Sequence, residues 1–389
     1  MGKPPAPVRL STIAAEWGRI GCTGFGGPPA HISLLRKLCV SQRAWLSAGE
    51  FEDAIAATNL LPGPASTQLA IYCAWRLRGW RGALVGGTCF ILPGLVAILA
   101  LSALFLESRP PRWVTGAAAG AGSAVAAVAL NAAIGLVPSS WARAGTQAPA
   151  RLRWGAYALA GGVAAATIGP YLVLVLLVAG LAELTWRAVS APGGSGPRTT
   201  ALAWLATLAP PVGGIGALAW VALKVGALSY GGGFVIVPLM QSDAVHHYHW
   251  MTNAQFLNAV ALGQVTPGPV VQTVAVVGYA AAKLGGGLLA PLIAFAPSFC
   301  FVLFGGGHFG RIRASASAQG FLAGAGPAAI GAIAGAAVPL GLALAHVWQV
   351  GVLGAALVWL VVLRGNVVLG LVGAGAIGVV GSFLGLPVA

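Results

Sequence analysis

Long apolar runs alternate with short polar segments along the whole chain. A helix rises 1.5 Å per residue, so about 20 apolar residues cross a hydrocarbon layer of about 30 Å. Runs of that kind cover residues 83–106, 114–137, 156–186, 287–309, 318–345 and 348–387, the last long enough for two helices separated near Arg364 and Gly365. The pattern predicts an all-α polytopic membrane protein with roughly ten to twelve hydrophobic elements.

One segment of the chain occurs twice, at a separation of 205 residues. Its glycines, prolines and aromatic residues return without a gap, which indicates two structural units of one origin. The pairs are Gly21 and Gly226, Gly26 and Gly231, Gly27 and Gly232, Trp45 and Trp250, Phe51 and Phe256, Pro62 and Pro267, Gly63 and Gly268, and Pro64 and Pro269. Residues 190–200 have the composition of a linker, so we predict transmembrane repeats at 1–189 and 201–389.

Each repeat interrupts an apolar helix with Pro-Gly-Pro, which a continuous helix does not tolerate. Capping boxes at Ser47 and Thr252 predict where these broken helices begin. The first arm is then about 18 Å long, too short to cross the bilayer. Basic clusters at 36–43 and 76–81 flank the first break, and the positive-inside rule puts both on one side if the two arms form a re-entrant hairpin. One broken span is the alternative.

The two repeats differ in the charge of a matching loop. Residues 36–43 contain three cations, whereas residues 241–248 contain no lysine or arginine. Loops on opposite sides of the membrane differ in this way, so the pattern predicts an inverted repeat related by a pseudo-two-fold axis in the membrane plane. A parallel duplication with diverged loops is the alternative.

Composition supports lipid as the solvent. Hydrophobic residues make up 58% and charged residues 7% of the chain, against about 25% charged residues in soluble domains. The net charge of +14 raises the possibility of nucleic-acid binding, but the cations lie in short clusters between apolar runs, as in cytoplasmic loops. The five cysteines have no metal or disulfide spacing, no signal peptide is predicted, and no nucleophile, phosphate-loop or cofactor motif is present. We therefore predict neither an enzyme nor a cofactor, metal or nucleic-acid site.

The helix restarts after each Pro-Gly-Pro are the best candidate site. A restarted helix presents unpaired N–H groups and the positive end of its dipole, which suits an anion. Simple proline kinks are the alternative, and close packing explains the glycine motifs equally well. The predicted substrate-binding residues are Arg19, Gly26, Gly27, Asn59, Pro62, Gly63, Pro64, Ser66, Thr67, Gln68, Lys224, Gly231, Gly232, Gln264, Thr266, Pro267, Gly268, Pro269, Gln272 and Thr273.

Charged residues near these motifs have two interpretations. Arg19 and Lys224 are register partners that either compensate the charge of an anion or mark helix ends at the interface. Carboxylates are few, so those of the first repeat are the candidates for proton handling. They are Glu16, Glu50, Glu52 and Asp53.

Five segments resemble the characteristic segments of the chromate ion transporter family. They are FGGPPAHI at 25–32, NLLPGPASTQLAI at 59–71, GWRGALVGGTCFILPG at 79–94, LKVGALSYGGGFVIVPLM at 223–240 and ALGQVTPGPVVQT at 261–273. The resemblance implies a two-domain, multi-pass protein of the inner membrane that exports chromate, with sulfate as a similar oxyanion, and so confers chromate resistance. It also implies coupling to an ion gradient, with the proton as a candidate.

Several alternatives stay open at the level of sequence. An oxyanion channel and a sulfate-type anion transporter without chromate preference fit the same motifs. A membrane-embedded scaffold protein that binds no anion is a further alternative. The sequence does not decide between a monomer and an oligomer in the lipid bilayer.

Overall fold

The computed structural model describes residues 8–59, 61, 63–107, 110–167, 172–190, 213–229, 235–308 and 315–388. Every regular element within these ranges is helical. Five helical segments are long and apolar enough to cross a membrane, namely Ala65–Phe105, Arg112–Ala144, Leu172–Val189, Val270–Gly305 and Ala316–Leu342. The predicted all-α polytopic membrane fold is therefore confirmed.

The described residues of the first half form eight α-helices. They are α1 Leu10–Thr23, α2 Pro28–Arg36, α3 Ala48–Thr58, α4 Ala65–Phe105, α5 Arg112–Ser123, α6 Val125–Ala144, α7 Ala148–Thr167 and α8 Leu172–Ser190, with a π-helical turn Lys37–Gln42 after α2. The apolar run at 156–186, which looked like one element, contains parts of two helices, α7 and α8. Of the predicted linker, residues 191–200 lie outside the described residues.

The second half repeats this order. It contains α9 Gly214–Leu228, α10 Ile236–Gln241, α11 Asn253–Val265, α12 Thr273–Gly305, α13 Ala316–Leu342, α14 Val347–Leu357 and α15 Val367–Phe383, with short π- or 3₁₀-helical turns Ser242–His247, Val270–Gln272, Gly306–His308 and Val358–Val362. The run at 348–387 does divide near Arg364, which has a φ of 52°. Both predicted capping boxes are present, at Ser47 with Glu50 and at Thr252 with Gln255.

The register between the halves changes by one residue directly after the Pro-Gly-Pro turns. The turns themselves are 205 residues apart, whereas Pro93 and Pro297, farther along the same helices, are 204 apart. The second half has one residue fewer here, and it restarts with the 3₁₀ turn Val270–Gln272 where the first half restarts directly as α4. Gln68 and Gln272 are therefore structural counterparts.

The first Pro-Gly-Pro turn is the tip of a re-entrant hairpin. Helix α4 folds back at Arg78 and Gly79, whose φ and ψ are not helical, so it consists of a short arm at 65–77 and a long arm at 80–105. Arg76 at the end of the short arm forms a 2.6 Å ion pair with Glu50 at the start of α3. Because the outer ends of α3 and the short arm meet, the hairpin enters and leaves on one side, as predicted. Helix α12 has the same fold-back at Ala282 and Lys283.

The long arms of α4 and α12 pack against each other across the centre of the molecule and run antiparallel. Gly87 lies against the ring of Phe299, and Gly287 lies against the side chain of Leu99. Since these arms are counterparts in the two halves, their opposite directions confirm the inverted repeat.

Glycines set the spacing of the outer helices. Helices α7 and α13 approach closely where Gly161 meets the backbone of Ala328 and Gly331 meets the backbone of Ala158. Close backbone approach through small residues is the usual basis of helix association in membranes, where lipid removes most of the hydrophobic driving force.

We expect Gly161→Ala to destabilise the protein, because the added methyl group would overlap the backbone of Ala328. Overpacking of this kind costs about 1–3 kcal/mol. Gly155→Ala is the matched control on the same helix, since no atom lies within 4 Å of its added carbon. Thermal unfolding in detergent checks the pair, and equal melting temperatures would contradict the packing described here.

Candidate functional site

Both Pro-Gly-Pro turns lie at the interface between the two halves. A carbon added to Gly63 would lie 3.2 Å from Ser298 Oγ of α12 and 3.4 Å from the Gly226 carbonyl oxygen of α9. In the other turn, the N–H of Gly268 donates to the carbonyl oxygen of Gly24 at 3.0 Å. Each broken helix is therefore completed by contacts from the opposite half.

The central glycine of each turn adopts a backbone conformation that other residues rarely reach. The φ angles are 117° at Gly63 and 101° at Gly268. The counterpart glutamines fold back over these glycines: Gln68 Nε2 lies directly against Gly63, and a carbon added to Gly268 would be 3.1 Å from Gln272 Oε1. Gln272 also donates through Nε2 to the Ile91 carbonyl oxygen of α4 at 2.6 Å.

Buried polar atoms without hydrogen-bond partners gather around the turns. Among the described residues they include Thr67 Oγ1, Ser229 Oγ, Gln264 Nε2, Gln272 Oε1 and Ser298 Oγ. All five residues are at least nine-tenths buried. Each such atom costs about 1–3 kcal/mol when it stays unpaired, and native structures keep few of them. Four of them, on Thr67, Gln264, Gln272 and Ser298, belong to residues in or against the two turns, which is typical of a site that binds water or a polar ligand.

The N-terminus of α4 is buried, and this adds a favourable field for an anion. Residues 65–70, its first turn and a half, are all buried. The unpaired N–H groups of such a turn carry about half a positive charge, which lipid and protein screen far less than water does. Ser66 and Thr67 project their hydroxyl groups from this turn.

His31 joins these features, and the sequence interpretation missed it. Its ring is fully buried, with Nε2 at 2.9 Å from the Gly24 carbonyl oxygen and Nδ1 at 3.3 Å from Ser66 Oγ. A carbonyl oxygen only accepts, so Nε2 carries the proton and Nδ1 of the neutral ring accepts from Ser66. The Gly24 oxygen thus receives both His31 and Gly268. A histidine inside the otherwise apolar FGGPPAHI segment was the available signal.

A cavity of about 110 Å³ leads to the first turn. Its walls come from the end of α3, the start of α4, α6 and α13. They are lined by Thr58, Asn59, Leu61, Gly63, Ala65, Leu136, Ser139, Arg143, Gly326, Ala329, Ile330 and Ile333. This volume holds several water molecules or a small hydrated anion. Arg143 is the one cation among these lining residues, and the sequence interpretation had assigned it only to a basic loop.

The structure places the two predicted cations elsewhere. Arg19 is largely exposed and pairs with Glu16 at 2.9 Å, while Lys224 pairs with Asp243 at 2.6 Å. In the described part of the chain, neither forms a hydrogen bond or ion pair with a Pro-Gly-Pro turn. Arg143, by contrast, has no carboxylate within ion-pair distance among the described residues.

The remaining predicted site residues form three kinds of contact or position, and a fourth set lies outside the described residues. A carbon added to Gly27 would lie 3.6 Å from the Val270 side chain, so the first glycine motif packs against the second turn. The hydroxyl groups of Thr266 and Thr273 donate to carbonyl oxygens one turn earlier. Pro64 and Pro269 directly precede the restarted helices, Pro267 lies against Gly94, and Gly26 has a φ of 96°. Pro62, Gly231 and Gly232 lie outside the described residues.

Three of the four candidate carboxylates for proton handling, namely Glu16, Glu50 and Glu52, lie in surface ion pairs. Glu16 pairs with Arg19 and Arg43, and Glu52 pairs with Arg36. The pKa of Glu50 is lowered because the Ser47 N–H donates to it, with Arg76 beside it. These contacts give each of the three a structural role at the outer ends of helices.

Known proteins resemble this chain in sequence over most of its length. The family model described as chromate transporter matches residues 11–184 and 216–379, one region in each half. A chromate transport protein of Cupriavidus metallidurans is 31% identical over 340 residues, which cover 85% of this chain and 82% of the relative. One of Pseudomonas aeruginosa is 30% identical over 353 residues, 86% and 82% of the two chains. A probable chromate transport protein of Synechococcus elongatus is 28% identical over 350 residues, 87% and 86% of the two.

No solved structure matches the chain. The helical fold, the five apolar spans and the family match agree on a multi-pass protein of the inner membrane. With both halves matched and relatives aligned over more than four-fifths of their length, this chain belongs to the chromate transporter family.

Proposed function

We propose that this chain is a secondary transporter that exports chromate by alternating access and binds the oxyanion at the helix starts after the Pro-Gly-Pro turns. The relatives are named as chromate transport proteins, which supports the substrate. Sulfate is a second tetrahedral dianion of similar size and charge, so a site of dipoles, amides and hydroxyls would discriminate weakly between the two.

One observation carries the proposal: two re-entrant hairpins from opposite halves meet at buried polar atoms that have no partner among the described residues, including Thr67 Oγ1 and Ser298 Oγ. Transporters built from inverted repeats place their substrate sites at discontinuous helices near the membrane midplane. A dianion leaving water there needs replacement hydrogen bonds. The hydroxyl groups of Thr67 and Ser298 and the amide of Gln264 can donate them.

Two cavities at opposite ends of the α5–α6 span support alternating access. The cavity lined by Arg143 reaches the first turn from the end of α6. A second cavity of about 300 Å³ lies at the start of α5 and is lined by Glu107, Thr115 and His346, among other residues. Rocking of one half against the other would open one cavity to the site while closing the other. The hydrogen bond from the Gly268 N–H to the Gly24 carbonyl oxygen joins the two halves, so such a motion would break it.

Flux into reconstituted vesicles tests the proposal. Radiolabelled chromate and sulfate uptake is measured with each unlabelled oxyanion as competitor and with and without a pH gradient. Gradient-driven, mutually competitive accumulation is expected of a proton-coupled transporter. Flux that only follows the anion gradient would instead indicate a channel, and no flux of either anion would refute the proposal.

Gly63→Ala and Gly268→Ala should each reduce the maximal rate of transport at least tenfold, because each forces a side chain into a positive-φ turn at the site. Gly385→Ala is the control, since Gly385 has a φ of 85° in open space. Flux is normalised to folded protein measured by size-exclusion chromatography. If folded protein falls in proportion to flux, the turns are simple kinks.

Thr67→Val and Ser298→Ala should raise the KM for chromate about tenfold, because each removes one donor to a charged ligand. Neither change should lower thermal stability, since the lost hydroxyl has no hydrogen-bond partner among the described residues. Ser102→Ala provides the contrast. It should lower thermal stability, because the buried Ser102 hydroxyl donates to the Ile98 carbonyl oxygen at 2.7 Å. Unchanged KM values in both site variants would place the anion elsewhere.

A further inference from the structure

A buried carboxylate on α8 is shared by two arginines. Glu183 is 4% exposed and lies 2.8 Å from Arg153 Nε of α7 and 3.0 Å from Arg187 Nε on its own helix. The Tyr157 hydroxyl lies 3.4 Å from the same carboxylate. A small cavity lies beside this carboxylate, and its walls include Glu183, Arg187 and Arg143. Two arginines thus share one carboxylate and Arg143 lines the cavity beside it, so the cluster has a net charge of +2.

Arg143 connects this cluster with the proposed transport site. It lines both the small cavity at Glu183, about 20 Å³ in volume, and the larger cavity that reaches Gly63. The ends of α6 and α8 and the start of α13 meet here, on the same side of the membrane as the basic residues near Arg78. An anion that moves from this surface toward the first turn would pass Arg143.

The cluster belongs to one half only. Helix α13, the counterpart of α5 and α6, and helix α15, the counterpart of α8, contain no charged residue. A role in holding the repeated scaffold together would apply to both halves, so the absence of a matching cation favours a role specific to one membrane face.

We propose that Arg143 and Arg187 form a vestibule site for a tetrahedral dianion, with Glu183 as an exchangeable counter-ion. The inference rests on the proposed function and adds a first binding step to it. The dianion takes the place of the Glu183 carboxylate at Arg187, while Arg153 keeps its contacts with Glu183, so the buried carboxylate is never left unpaired. Guanidinium groups suit this exchange because they bind carboxylates and tetrahedral oxyanions in the same two-pronged geometry.

Equilibrium binding of radiolabelled sulfate to the purified full-length protein in detergent tests the site. Arg143→Gln should weaken binding about tenfold, and Arg143→Lys should restore part of it. Arg151→Gln is the matched control. Arg151 lies in the first turn of α7, close in sequence to the end of α6 that contains Arg143. It donates to the Gly145 carbonyl oxygen, stacks on Trp141 and lines neither cavity. Equal weakening by both glutamine variants would show an effect of net surface charge only and overturn the site, as would absence of sulfate binding in the wild type.

Glu183→Gln gives a second, opposite expectation. It leaves Arg153 and Arg187 without their counter-ion, so sulfate should bind several-fold more tightly than to the wild type. Unchanged or weaker sulfate binding by folded Glu183→Gln protein would contradict the exchange. If this variant does not fold, the Arg143 and Arg151 pair decides the question.

Transport kinetics separate this inference from the proposed function. Arg143→Gln should raise the KM for sulfate and chromate far more than it lowers the maximal rate, and high salt should reduce the difference from wild type. Flux with an unchanged KM in Arg143→Gln would refute the vestibule alone. Arg143-dependent sulfate binding without any flux would refute the transporter and leave the vestibule standing.

Discussion

The fold depends on one constraint: backbone that is not helical must find its hydrogen-bond and packing partners within the protein when it lies at membrane depth. This chain breaks two helices at Pro-Gly-Pro and satisfies the constraint across the two-fold axis. The turn at Gly63 rests on Gly226 and Ser298, and the turn at Gly268 donates to Gly24. The antiparallel long arms of α4 and α12 hold the two turns in this exchanged position. Helices α1 and α9 then pack on those arms through Gly21 and Gly226.

The two halves share one backbone arrangement, but the polar side chains that they carry differ. His31 corresponds to Ile236, and Ser298 corresponds to Gly94, so each half contributes polar groups that the other lacks. Arg143 gives a positive charge to the cavity at Gly63, whereas no lysine or arginine lines the cavity at the start of α5. In the proposed alternating-access cycle, the inverted repeat would supply two related conformations. Differences of this kind would then let the two conformations bind the anion with different strength.

Much of the fold could be predicted because its signals are local and repeated. The capping boxes, the Pro-Gly-Pro breaks and the loop charges indicated where the arms begin and on which side they enter, and Arg76 with Glu50 confirms the hairpin. The division of the run at 156–186 was missed because helices α7 and α8 are both apolar and periodicity alone does not separate them.

The site was harder to predict because it is built from distant parts of the chain. Register symmetry favoured Arg19 and Lys224, yet each has a carboxylate partner nearby that spacing does not reveal. Arg143 and His31 have no counterpart in the repeat, so a search for paired residues passed over both. The contact of Gln272 with Ile91 joins residues 181 positions apart, and only the folded chain shows it.

The exchange of turns between the halves has a consequence for biogenesis. When the ribosome has completed the first hairpin, Ser298 and Gly226, which cover its tip, have not yet been made. The first break therefore stays incompletely covered until the second half has been made. We expect the two halves to close on each other late in maturation, after both have been inserted.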